Sequence, residues 1–217
     1  MRALLVLLLV PALAEADGAP AYFPLEVGNW WAYEELDEDG TRLSRETWTI
    51  VDDAHGERRP DEFLLQSSTK RLDLLGRRRG RRWHGREYLR RTAVGVEKRY
   101  PAGRDAEIAV LLMKEPVVSG TRWHDPQGDC EVRSRGPCRG PRGDVPECAT
   151  VVCRLGEPTV TIVTSTYARG IGMVRQEIDV LQLLPGLRDA GSVSLPSDGV
   201  KGGHSLMRLT AFHVTPP

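Results

Sequence analysis

The sequence predicts an all-β fold: antiparallel, with a curved sheet, open barrel or sandwich built from two related halves. Three observations predict it. β-Branched and aromatic residues gather in short runs, punctuated by Gly, Pro or Asp at intervals typical of antiparallel β proteins. No amphipathic helix longer than a turn or two can be traced. The pattern Pro24-Leu25-x-x-Gly28-x-x-Trp31 also recurs as Pro116-Val117-x-x-Gly120-x-x-Trp123 with identical spacing.

The first residues stand outside this fold. Residues 1–14 carry a basic start, an apolar run and the small-residue close Ala12-Leu13-Ala14, the pattern of a secretory signal peptide. Cleavage after Ala14 is expected, with Ala14-Glu15-Ala16 as a second possibility, leaving 15–217 as a single β domain. No cysteine follows the apolar run, so the expected product is free in the periplasm or extracellular space, not lipid-anchored. No later run approaches the roughly 20 apolar residues of a transmembrane helix. Thirty Lys+Arg balance thirty Asp+Glu, and loss of Arg2 leaves a side-chain charge of −1. That balance argues against a nucleic-acid partner.

Each repeat copy reads as an extended approach set by proline, a glycine turn, and a strand carrying Trp inward. The copies divide the chain into halves of about 20–113 and 114–217. In the first half, strands are expected at 30–36, at Arg45–Val51, and at 62–68, 82–90, 93–100 and 107–113. In the second they fall at 129–135, 147–155, 158–167, 171–184 and 205–214, with Pro158–Tyr167 the strongest signal. Residues 185–204 read as a long loop, a length that within a compact domain marks function or mobility.

Cys130, Cys138, Cys148 and Cys153 lie close together in an exported chain, so disulfides are the first reading. A metal site is the rival, but the spacings lack the tight Cys pairs of structural zinc. Three connectivities are possible. If 129–138 and 146–154 form a hairpin across 140–143, nested pairing is natural: Cys130 with Cys153, Cys138 with Cys148.

The opening Tyr22-Phe23-Pro24-Leu25-Glu26-Val27-Gly28-Asn29-Trp30-Trp31-Ala32-Tyr33 resembles that of exported bacterial proteins of unknown function, a TapB-like, lipoprotein-related group. Pro116–Trp123 resembles their second Pro–Gly–Trp motif, and Thr166-Tyr167-Ala168-Arg169-Gly170-Ile171-Gly172-Met173-Val174-Arg175-Gln176-Glu177 is similar to a third. Two features depart from the group. Val145-Pro146-Glu147-Cys148 stands where it usually has Val-Pro-Ala-Gly, and the lipobox cysteine of many members is absent. The resemblance implies an antiparallel curved sheet or open barrel and no activity.

Trp31, Trp48 and Trp123 are candidates either for core or for lining a ligand cavity, core being preferred. Trp30 and Trp31 must point to opposite faces of one strand. Arg77, Arg78, Arg79, Arg81 and Arg82 open a basic run that extends to Arg91. It could hold an anionic envelope component, but a hairpin tip of solvated charge is the simpler reading. The five histidines have no metal-ligating spacing, and no G-x-S-x-G elbow appears. Glu34–Gly40 lacks the spacing of a calcium loop and reads as an acidic turn. No catalytic, metal or cofactor site is expected. The expected function is that of a non-enzymatic envelope β protein binding an apolar small molecule or an envelope protein. The alternatives are a structural component without a ligand site and an unrecognised hydrolase.

Overall fold

The computed structural model describes residues 21–53, 61–72, 78–101, 107–126, 128–156, 159–182 and 203–216. The expected signal peptide, the loop from 185 to 202 and Arg77 lie outside these residues, as do the side chains of Arg78, Arg79, Arg81, Arg82 and Trp83.

The described chain is all β. The first half supplies β1 (Trp30–Leu36), β2 (Arg42–Val51), β3 (Glu62–Leu72), β4 (Arg78–Thr92), β5 (Gly95–Pro101) and β6 (Glu107–Lys114). The second supplies β7 (Arg122–Asp125), β8 (Gly128–Gly140), β9 (Gly143–Leu155), β10 (Thr159–Ala168), β11 (Gly172–Gln182) and β12 (His204–His213). All twelve strands form one antiparallel sheet, ordered β6 back to β1, then β12 back to β7. Each strand therefore pairs with its chain neighbour, except across β6–β7, and β1 pairs with β12. The two edge strands still meet: the Trp123 indole N–H donates to the Leu111 carbonyl at 3.0 Å, and the Lys114 ammonium to the Arg122 carbonyl at 3.3 Å. The sheet is thus a nearly closed barrel with one unzipped seam.

Period-two alternation sets what faces inward. Trp31, Tyr33 and Glu35 share one face of β1, with Trp48, Glu46 and Ser44 beside them on β2. The core fills the end where the chain enters. Trp31, Tyr33, Ile50, Leu65, Leu89, Val96, Met113, Val132, Val151 and Met173 are all buried there. Residues 21–29 cross that end as a plug. The Phe23 ring packs 6.1 Å from Trp31 and 6.0 Å from Tyr167, centroid to centroid. Arg91 donates to the Phe23 carbonyl at 3.2 Å, and the Gly170 N–H to Ala21 at 2.9 Å.

The two repeat copies make the same backbone bonds. Gly28 N–H donates to Ile50 O and Gly120 N–H to Val132 O; Asn29 N–H donates to Glu26 O and Thr121 N–H to Val118 O. Ile50 and Val132 return the bond to Asn29 and Thr121. Both glycines have positive φ, +96° and +86°, which is why each copy needs one.

One expectation is corrected. The basic run is not a hairpin tip: from Arg78 it lies in β4, laddered to β3 from Glu62↔Arg90 to Leu72↔Arg78. Its far end is engaged, Arg90 reaching Glu97 at 2.6 Å and Arg91 the plug. A β ladder satisfies the backbone while side chains alternate between faces, so arginines in series do not require a loop. β7 falls outside the alternating runs and was indicated only by the repeat, because it has just four residues.

The open half of the barrel as a candidate site

Away from the plug the inward face changes character. Glu35, Glu46, Trp48, Ser67, Thr69 and Glu87 continue the inward rows of β1–β4 but are only half-buried. Across the barrel, Val163, Gln176, Ile178 and Met207 continue the rows of β10–β12 and are half-buried too. One wall is therefore acidic and hydroxylic, and the other largely aliphatic.

Tyr33, Tyr167 and Trp48 form the floor of this half. The Tyr33 and Trp48 rings lie 4.8 Å apart, and the Tyr33 hydroxyl donates to the Met173 carbonyl at 3.1 Å. Burial pushes the Tyr33 phenol well above its ordinary value, helped by Tyr167 and Glu46; burial pushes Tyr167 up to about 12, opposed by a hydrogen bond with Ser165. Both phenols stay protonated, and the Tyr33 hydroxyl serves as a donor.

Burial likewise raises the Glu46 carboxyl. The hydrogen bond from Trp48 Nε1, at 2.7 Å, opposes that rise, and the charges of Glu35 and Glu87 add to it. Three further hydrogen bonds tie down polar groups here: Ser44 donates to Glu35 at 2.8 Å, Lys98 to Glu87 at 3.2 Å, and Gln176 to Ser165 at 3.0 Å. The wall is a fixed set of acceptors beside apolar surface, which suits binding and orienting a molecule. Among the described residues, no three His, Cys, Asp or Glu side chains are grouped to hold a metal ion.

Of the three candidate tryptophans, Trp31 and Trp123 are buried at 1% and 8% exposure. Trp31 donates to the Ile171 carbonyl, while Trp123 sits at the seam. Trp48 alone is half-buried and reaches the open half. The cysteines are joined as Cys130–Cys153 and Cys138–Cys148, both within the β8–β9 hairpin. Cys130 and Cys153 are direct cross-strand partners, with Cα atoms 4.1 Å apart.

Glu147, one of the departures from the resembled pattern, has a structural role. Its carboxylate accepts from Arg135 at 2.6 Å, Arg169 at 2.9 Å and the Tyr22 hydroxyl at 3.1 Å, clasping the plug to β8, β9 and the β10–β11 turn. Glu34–Leu36 belong to β1, and the turn comes after them: Asp37 Oδ1 accepts from the Asp39 and Thr41 amides at 3.0 and 2.7 Å. Glu35, Glu46 and Glu87 were missed as a group because they come from three strands. The available signal was their two-residue offset from Tyr33, Trp48 and Leu89.

No family model matches the chain, and no curated protein matches it. Two solved structures of similar shape are known. One is a candidate exported protein with a YmcC-like fold from Bacteroides fragilis: TM-score 0.50, 12% identity, covering 89% of this chain and 99% of that one. The other is a candidate lipoprotein from Parabacteroides distasonis: TM-score 0.45, 13% identity, with the same coverages. At such identities the first likeness concerns the fold alone.

Proposed function

We propose that this protein is a non-enzymatic, exported β protein of the cell envelope, periplasmic or extracellular, with 15–217 as one domain. Its open barrel half takes a small apolar molecule. The supporting observation is the change along the inward face, from a sealed core at the plug to half-buried Trp48, Ile178 and Met207 opposite fixed acceptors. An interior meant only for stability would be filled along its whole length. The similar structure from Bacteroides fragilis is that of a candidate exported protein, which agrees with an envelope location.

The test is native mass spectrometry of protein purified from its own envelope, with a Trp48→Glu variant alongside. A co-purifying small molecule lost in the variant is the expected result. Protein that always has its bare chain mass, and no affinity for a lipophilic fluorescent probe, would end this reading. A structural component that docks on an envelope protein is the second reading. It is favoured by Val27, Val94 and Val118, exposed by about half and all in connections at the plugged end. Recovery of a stoichiometric protein partner in the same spectra would select it.

A further inference from the structure

The outer face of β7–β9 carries a second concavity, distinct from the barrel interior. It is a groove of about 600 Å³, within the usual range for small-molecule sites. Arg122, Glu131, Arg133, Val152 and Arg154 line it, with Trp123 at its edge. Strand register explains its chemistry. His124, Asp129 and Arg154 stand in one cross-strand row, and Arg122, Glu131 and Val152 in the next.

Both acids in the groove are already engaged, Asp129 by His124 at 2.8 Å and Glu131 by Arg122 at 3.1 Å. The guanidinium groups of Arg133 and Arg154 have no acidic partner among the described residues. Arg133 occupies an irregularity in the ladder, between Val132↔Val151 and Ser134↔Thr150. Such a bulge changes the direction of a side chain and recurs beside binding sites. Val152 is the third feature. It shares the outward row of Glu131 yet is only 5% exposed and lines the groove, which makes it an apolar floor.

From these features we infer that the groove binds an organic oxyanion: a phosphate or carboxylate on a small apolar body. The planar, always-charged guanidinium offers paired donors that match such oxyanions. Arg133 and Arg154 would take the anionic head, and Val152 the body. The source could be a free metabolite or a lipid head group.

The test titrates the whole protein with phenyl phosphate and with inorganic phosphate by calorimetry, and assays retention on phosphatidylglycerol-containing vesicles. Phenyl phosphate should bind more tightly than inorganic phosphate, weaken with added salt, and lose about tenfold or more in affinity in R133S/R154S. Vesicle retention alone, lost in the same variant, would assign the anion to a lipid head group. Absence of both phenyl phosphate binding and vesicle retention, or equal binding by wild type and variant, overturns the proposal. Nitrogen-15 spectra of the wild type give a reading independent of the variant's folding: the Arg133 and Arg154 Nε–H signals must move on titration, and static signals also overturn it.

Discussion

At one junction between the halves, β1 lies against β12 through seven register pairs, from Trp30↔His213 to Leu36↔Leu206. At the other, among the described residues, β7 meets β6 through two side-chain-to-backbone hydrogen bonds and no ladder. Yet the chain arrives at β1 and at β7 through the same Pro–Gly–Trp motif, with the same glycine turn and the same amide–carbonyl bonds. The repeat therefore fixes how a strand begins and not what it pairs with. Strand length makes the difference. β1 continues for seven residues of alternating pattern, whereas β7 stops after four, where Pro126 removes an amide donor and the Gly128 amide caps Asp125 at 3.2 Å.

The largest expected effect tests this contrast directly. Trp31→Ala should cost about 3–5 kcal/mol, the range for a core tryptophan, because Trp31 is 1% exposed and packs under the plug. Trp123→Ala should cost less, since it faces an open seam. Urea denaturation of both variants decides, and equal losses would mean that the seam is as tightly built as the ladder.

A smaller effect tests the likeness. Gly28→Ala and Gly120→Ala each place a Cβ in open space but at positive φ, so each should cost about 1–2 kcal/mol. The two losses should match. A clear inequality would show that the turns are alike in sequence only.

The smallest effect concerns the plug. Burial raises the Glu147 carboxyl, but its hydrogen bonds from Arg135, Arg169 and Tyr22 outweigh this and hold it below the ordinary 4.5. Its stabilisation is therefore present above pH 4.5 and is lost as pH falls through the lowered folded value. Because Glu147 is about a third exposed, Glu147→Gln should cost only about 0.2–1 kcal/mol at neutral pH, and nothing in acid. Glu46 has the opposite sign. Its carboxyl is raised, so ionisation costs stability as pH climbs past 4.5, and Glu46→Gln should leave the neutral-pH melting temperature equal or higher. Melting curves across pH read both.

Much of the fold was legible because sheet alternation is a local signal. The run 30–36 coincides with β1, and Pro158–Tyr167 anticipates β10 within one residue. β7 was legible only through the repeat, and the inner position of Glu35 was not legible at all. Four residues cannot display an alternation, and a glutamate two places beyond Tyr33 reads as surface until the barrel closes around it. The groove arginines were hidden for a related reason. Arg122, Arg133 and Arg154 are scattered singly in sequence, and only cross-strand register gathers them, whereas the conspicuous arginine series, from Arg78 to Arg91, is spread along β4.

The strand order also carries a consequence for how the chain folds during synthesis. Every pairing but one joins strands adjacent in sequence, so each half can zip up from neighbouring hairpins as it emerges. The exception is β1 with β12, the first strand with the last. Until residues 204–213 are delivered, the outer edge of β1 presents bare amide and carbonyl groups, the kind of template on which chains aggregate. Closing that edge comes last and carries the greatest loop-closure cost in the molecule, so losing the final strand should turn a nearly closed barrel into a sticky open sheet.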